Sequence, residues 1–183
     1  MQYAHGGDIY TYKNLLDFSI NVNPLGPADA VVEAAARSLQ RIGEYPDSQS
    51  RELRNALAEK KGLEAERFVI GNGAADLLFS LVLAEKPQKA MIVIPAFSEY
   101  EQALKTVGCE ILYHEVKKEN NFRLGTDLTE KITSELDFLF LCSPSNPAGQ
   151  AVEKEFLIKI AEKCEKERVR LVLDECFVQF LTS

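Results

Sequence analysis

The 183 residues carry a net charge of -7 and are 46% hydrophobic, enough apolar material for a sizeable core. No Lys/Arg cluster is long enough to track a phosphate backbone, the longest apolar runs (77–84 and 91–97) are too short to span a bilayer, and the amino terminus lacks the pattern of a secretion signal. A cytoplasmic protein with no nucleic-acid or membrane partner is therefore expected, and Cys109, Cys142, Cys164 and Cys176, widely spaced and with only 2 His in the chain, read as buried free thiols rather than metal ligands or disulfides.

In chain order, the polar, proline-punctuated segment 17–27 predicts an extended arm, and the spacing of Val31, Val32, Ala35 and Leu39 predicts a helix over 28–40. After a turn at 43–47, Asp47 or Ser48 is expected to cap a second helix that presents Leu53, Ala56 and Leu57 on one face and ends at Gly62. From Arg67 the pattern alternates, with strands expected at 68–70, 89–94, 109–116, 137–142 and 169–173 and helices at 74–85, 97–106, 127–134 and 153–168. Such alternation predicts an α/β fold, a mostly parallel sheet with helices on both faces. The division expected is an arm with two helices over 1–62 and an α/β domain over 63–183.

Chemistry concentrates at the ends of the strands. The run 169–173 reads as a strand buried on both faces, and it ends in Asp174. Ligands of open α/β sheets bind outside the carboxyl ends of the strands, so Asp174 either meets a ligand or caps the next turn. The stretch 71–76, with Gly71, Gly73, Ala74 and Ala75, joins a strand to a helix N-terminus, where free N–H groups and the helix dipole bind phosphate; turn geometry alone would also explain its glycines. It is neither a dinucleotide fingerprint nor a Walker loop. Phe97 and Tyr100 either pack in the core or offer a face to a flat ring. Asn146 stands between Pro144 and Pro147, which restrict the backbone on both sides and so aim the side-chain amide.

Together these stretches resemble the aspartate-aminotransferase-like, fold-type I family of pyridoxal-phosphate enzymes, above all through Ser145-Asn146-Pro147 followed by Asp174-Glu175 on the next strand. The resemblance implies that the backbone at Gly73, Ala74 and Ala75 holds the phosphate of pyridoxal 5'-phosphate, that Phe97 stacks on the ring, that Asn146 bonds the ring oxygen and that Asp174 pairs with the ring nitrogen. Within the family, His5-Gly6-Gly7, the segment 17–26 and 95–100 are most similar to a subgroup of cobalamin-pathway decarboxylases acting on a phosphorylated amino acid, relatives of the histidinol-phosphate aminotransferases. That likeness implies substrate contacts from His5, Gly6, Asn21 and Asn146, and a homodimer in which Tyr45 reaches the partner's cofactor; a plain terminus and a turn aromatic are the simpler accounts of His5 and Tyr45.

The chain departs from the family pattern at Ala148, where Thr is frequent, at Ala74 and Ala75, where a hydroxyl is frequent, and at Phe177, where many aminotransferases have Tyr. No lysine follows Asp174. In the family the lysine that binds the cofactor aldehyde, and the carboxylate-binding arginine, follow that strand. The expectation is therefore roughly the first half of such an enzyme, with the large domain incomplete at its C-terminus, exposed strand edges, and no covalent cofactor linkage on its own. A non-catalytic binding domain is the alternative from outside enzymology.

Overall fold

The structure is a computed structural model that describes residues 6–13 and 15–181. The chain divides into two compact units, with the break between Phe68 and Val69.

In the first unit, α1 (Asp29–Ser38) runs on into a 3-10 turn at Leu39–Arg41, and α2 (Arg51–Lys61) follows. Neither helix buries a residue. Asp47 supplies the expected cap, although the N-cap position itself falls on Ser50: its Oδ2 accepts the Arg51 N–H at 2.8 Å and its Oδ1 the Gln49 N–H at 3.1 Å. Gly62 ends α2, as its sequence position suggests.

The second unit contains α3 (Gly73–Glu85), β1 (Lys89–Ile94), α4 (Ser98–Thr106), β2 (Glu110–Glu115), α5 (Leu128–Lys131), β3 (Phe138–Cys142), α6 (Lys154–Glu167) and β4 (Arg170–Asp174). The four strands are parallel and lie in the order β2-β1-β3-β4. Alternating side chains of β1 and β3 feed two cores. Ala90, Ile92, Phe138 and Phe140 meet Leu78 and Val82 of α3 and Tyr100 and Leu104 of α4. Met91, Leu139 and Leu141 meet Leu128 of α5 and Ile160 and Cys164 of α6. The sheet is thus covered on both faces, which is why every residue of β3 is buried.

Four expectations need correction. The segment 68–70 is not a strand of this sheet: Phe68 is extended (φ -104°, ψ 128°), but no sheet pairing includes the segment, and Val69 is 77% exposed. The strand ending at Asp174 is not buried on both faces, because β4 lies at the edge of the sheet, with Arg170 exposed and Leu171–Asp174 only half-buried. The helix expected over 127–134 is a single turn; Leu128, Ile132 and Leu136 are all buried, but the chain becomes extended at Ile132. Cys109, Cys142 and Cys164 are buried as expected, whereas Cys176, beyond the end of β4, is exposed.

Candidate functional site

The order of the strands creates the site. From β1 the chain crosses to β2 on one side and later returns to β3 on the other, so the carboxyl ends of β1 and β3 diverge into connections that part from one another. Such a reversal opens a crevice at the strand ends. Three of the expected residues arrive there on strand ends: Phe97 just after β1, Asn146 just after β3, and Asp174 as the last residue of β4, paired in register with Cys142. All three are half-buried.

The N-terminus of α3 faces the same edge. At its far end Glu85 pairs with Arg170 at 3.4 Å, and Arg170 opens β4, so the C-terminus of α3 lies at the start of the strands and its first turn at their carboxyl ends. Gly73 begins the helix at φ +86°, a conformation that costs an L-residue strain, and a side chain there would meet open space. Asn72 donates its N–H to the Asp76 carboxylate at 2.8 Å, which braces the loop internally. The N–H groups of Gly73, Ala74 and Ala75 lie in the first turn, where helical geometry supplies no internal acceptor for them.

Both readings of Asp174 hold at once. Its Oδ1 accepts the Cys176 N–H at 2.9 Å, which braces the turn after β4. Its Oδ2 accepts the hydroxyl of Tyr100 at 2.5 Å. A carboxylate has about four acceptor positions, so roughly two remain for a ligand. Burial first, and then the Asp174 carboxylate, push the ionisation of Tyr100 far above its ordinary value, so the phenol keeps its proton and donates it. The aromatic pair likewise divides its roles. Tyr100 is a core residue at 1% exposure, stacked on Phe140 with ring centroids 5.4 Å apart, while Phe97 meets it edge-on at 5.9 Å and keeps part of its surface open.

Asn146 sits in a turn that is tied down from beneath. The buried Cys142 thiol donates to the Pro144 carbonyl at 3.1 Å and receives the Asn146 N–H, and burial raises its ionisation above the usual thiol range. The Ser143 hydroxyl accepts the Val152 N–H at 3.0 Å, and the Ser145 carbonyl accepts the Gly149 N–H at 2.7 Å. Sequence reasoning noticed Tyr100 only as half of an aromatic pair and Cys142 only as a buried thiol. The run Phe97-Ser98-Glu99-Tyr100, with its two rings on successive sides of a helix start, was the available signal for Tyr100.

The remaining expected residues belong to the first unit. Gly6 lies against the Ser19 backbone so closely that a Cβ would come within 2.3 Å of the Ser19 carbonyl oxygen, and Gly7 donates its N–H to the Ser19 hydroxyl at 2.8 Å. Gly6 is thus required by packing within the arm, whatever else it contacts. Asn21 is exposed, and Tyr45 is fully so. His5 lies outside the described residues. No helix among the described residues is long and apolar enough to cross a membrane.

The donor set suits pyridoxal phosphate: backbone N–H groups for a phosphate, a partly open aromatic face, an amide, and a carboxylate with acceptor positions to spare for a protonated ring nitrogen. Comparison with known proteins agrees. The chain is 38% identical over 97% of its length to threonine-phosphate decarboxylase of Salmonella typhimurium, of which it covers 51%. Among solved structures, it superposes with a TM-score of 0.78 on histidinol-phosphate aminotransferase of Clostridium acetobutylicum (28% identity, 91% of this chain, 48% of that one). It superposes with a TM-score of 0.75 on aspartate aminotransferase of Thermus thermophilus (26% identity, 84% of this chain, 43% of that one). The chain spans about half the length of the curated relatives it matches. The sequence model for aminotransferase class I and II matches residues 13–183, and the chain belongs to that family of pyridoxal-phosphate enzymes.

Proposed function

We propose that the protein catalyses the pyridoxal-phosphate-dependent decarboxylation of L-threonine O-3-phosphate to 1-aminopropan-2-yl phosphate, in the cytoplasm and as a homodimer, within cobalamin synthesis. The observation that carries this reading is the Asp174 carboxylate, braced by donors on both oxygens and presented at the same sheet edge as Asn146 and the N-terminus of α3. The likeness to the Salmonella decarboxylase supports the choice of substrate.

In this reading the N–H groups of Gly73, Ala74 and Ala75 bind the cofactor phosphate, Phe97 covers one ring face, the Asn146 amide donates to the ring oxygen, and Asp174 keeps a proton on the ring nitrogen through charge pairing. When bound, the cofactor supplies an electron sink for the pair released at the substrate Cα. His5, Gly6, Asn21 and Asn146 hold the phosphorylated substrate, and Tyr45 serves the site of the partner subunit. Which Cα bond breaks depends on which one these contacts hold perpendicular to the ring. Loss of carboxylate gives decarboxylation, and loss of hydrogen begins amino transfer.

The second reading is histidinol-phosphate aminotransferase, favoured by the structural likeness to the Clostridium enzyme. Both are tested by giving a protein of the relatives' full length L-threonine O-3-phosphate and following CO2 and the amine product. Release of one CO2 per substrate without added 2-oxoglutarate supports the decarboxylase; 2-oxoglutarate-dependent glutamate formation from histidinol phosphate, with no CO2, overturns it. For the 183-residue chain alone, we propose that cofactor binding is non-covalent, since no lysine follows Asp174. Cofactor absorbance that survives dialysis and is lost on borohydride reduction would contradict that.

A further inference from the structure

Tyr100 is joined to Asp174 in a way that packing alone does not require. Its ring is held by Phe140 on one side and by the edge of Phe97 on another, at 1% exposure, and that apolar setting would suit a phenylalanine equally well. The hydroxyl nevertheless extends from α4, on one face of the sheet, to the end of β4, and donates to Asp174 Oδ2 at 2.5 Å across 74 residues of sequence. The Cys176 N–H takes Oδ1 at 2.9 Å from the following turn. Two donors arriving from different elements define both the position and the plane of a carboxylate, which one donor would leave free to swing. The buried Cys142 thiol also lies against the phenol, and the same thiol ties down the turn that carries Asn146. One buried layer therefore underlies two of the groups that face the crevice.

We propose that Tyr100 is a positioning residue: its phenol orients Asp174 toward the cofactor's ring nitrogen and, by sharing its proton with Oδ2, sets how strongly that carboxylate draws the ring N–H. This rests on the pyridoxal-phosphate reading given above. Because burial and the adjacent carboxylate keep the phenol protonated, the donor stays neutral and constant across the working pH range, which a histidine in that place would not be. A donor of this kind lowers the negative charge available at Asp174 without removing it.

The test uses the relatives' full-length form of the protein, loaded with pyridoxal phosphate labelled with 15N in the ring, and reads the ring-nitrogen chemical shift together with the dissociation constant of the cofactor. Tyr100→Phe keeps the buried ring and removes only the hydroxyl; it is expected to move the nitrogen resonance and to weaken binding on the order of tenfold, the loss typical of one hydrogen bond to a charged group. Fluorotyrosines introduced at position 100 keep the hydroxyl and grade its acidity, so the resonance should shift steadily along the series. Asp174→Ala separates the two levels of argument. If Asp174→Ala loses the nitrogen signal and affinity while Tyr100→Phe and the fluorotyrosines match the wild type, Tyr100 is merely a core residue and the proposal fails alone. If Asp174→Ala also matches the wild type, the cofactor reading of the site fails and takes the proposal with it.

Discussion

Replacing Phe140 by alanine tests the packing on which the site stands. Phe140 lies at the middle of β3, has no exposed surface, pairs in register with Ile92 of β1 and Val172 of β4, and packs its ring on Tyr100 at 5.4 Å and on Phe138 at 5.8 Å. Truncating a fully buried phenylalanine costs about 3–5 kcal/mol, the transfer of the ring plus the cavity it leaves, and the lost aromatic pairing places the value in the upper part of that range. A domain stable by roughly 5–15 kcal/mol would lose a large share of its margin. With a urea m-value of about 2 kcal/mol/M, a loss of ~4 kcal/mol lowers the unfolding midpoint by about 2 M. Urea titrations followed by far-UV circular dichroism measure this, with exposed Glu162→Ala as a control expected to stay within about 0.5 kcal/mol. If Phe140→Ala cost less than ~1 kcal/mol, β3 would not be the centre of the core, and the support claimed for Tyr100 and Asp174 would be wrong.

Further outcomes follow from single contacts. Asp137 Oδ2 accepts the N–H groups of Gln88 and Lys89 at 2.6 and 3.0 Å, clamping the entry to β1 against the start of β3; Asp137→Ala should cost roughly 1–2 kcal/mol in a urea titration and Asp137→Asn, which keeps an acceptor, clearly less. Gly73→Ala meets no steric obstacle but must hold φ +86°, so a loss of about 1–2 kcal/mol, read as a lower melting temperature, is expected from backbone strain alone. Burial first, and then Lys131, lower the ionisation of His114 below its usual value, with Asp127 acting weakly in the opposite sense. The unfolded chain therefore binds the extra proton first: the contribution is complete above the unfolded value near 6.5 and is lost as pH falls through the depressed folded value. Midpoints measured at several pH values between 7.5 and 5 should fall with acidification in the wild type and show a shallower slope in His114→Gln; equal slopes would contradict the assignment.

Much of this protein was readable from local pattern. The bounds of β1 at Lys89 and Ile94, the cap role of Asp47, the stop at Gly62 and the alternation after Arg67 each depend on a few neighbouring residues, and the structure bears them out. The positions of Phe97, Asn146 and Asp174 at strand ends follow from the same alternation, because a strand buried in a parallel sheet must stop before a polar residue. What local pattern lacks is any statement of neighbours. That β4 is an edge strand with half-buried residues, that 68–70 stays extended outside the sheet, and that Ile132 leaves a helical spacing for an extended one depend on which elements come to lie alongside, and pairing partners are distant in sequence. The bond from Tyr100 to Asp174 belongs to this second class: each residue had a plausible separate reading, and only the stacking of α4 over the end of β4 brings phenol and carboxylate together. Residue chemistry and periodicity thus determined which groups were available, while strand order and helix packing, governed by long-range burial of apolar faces, decided which of them meet.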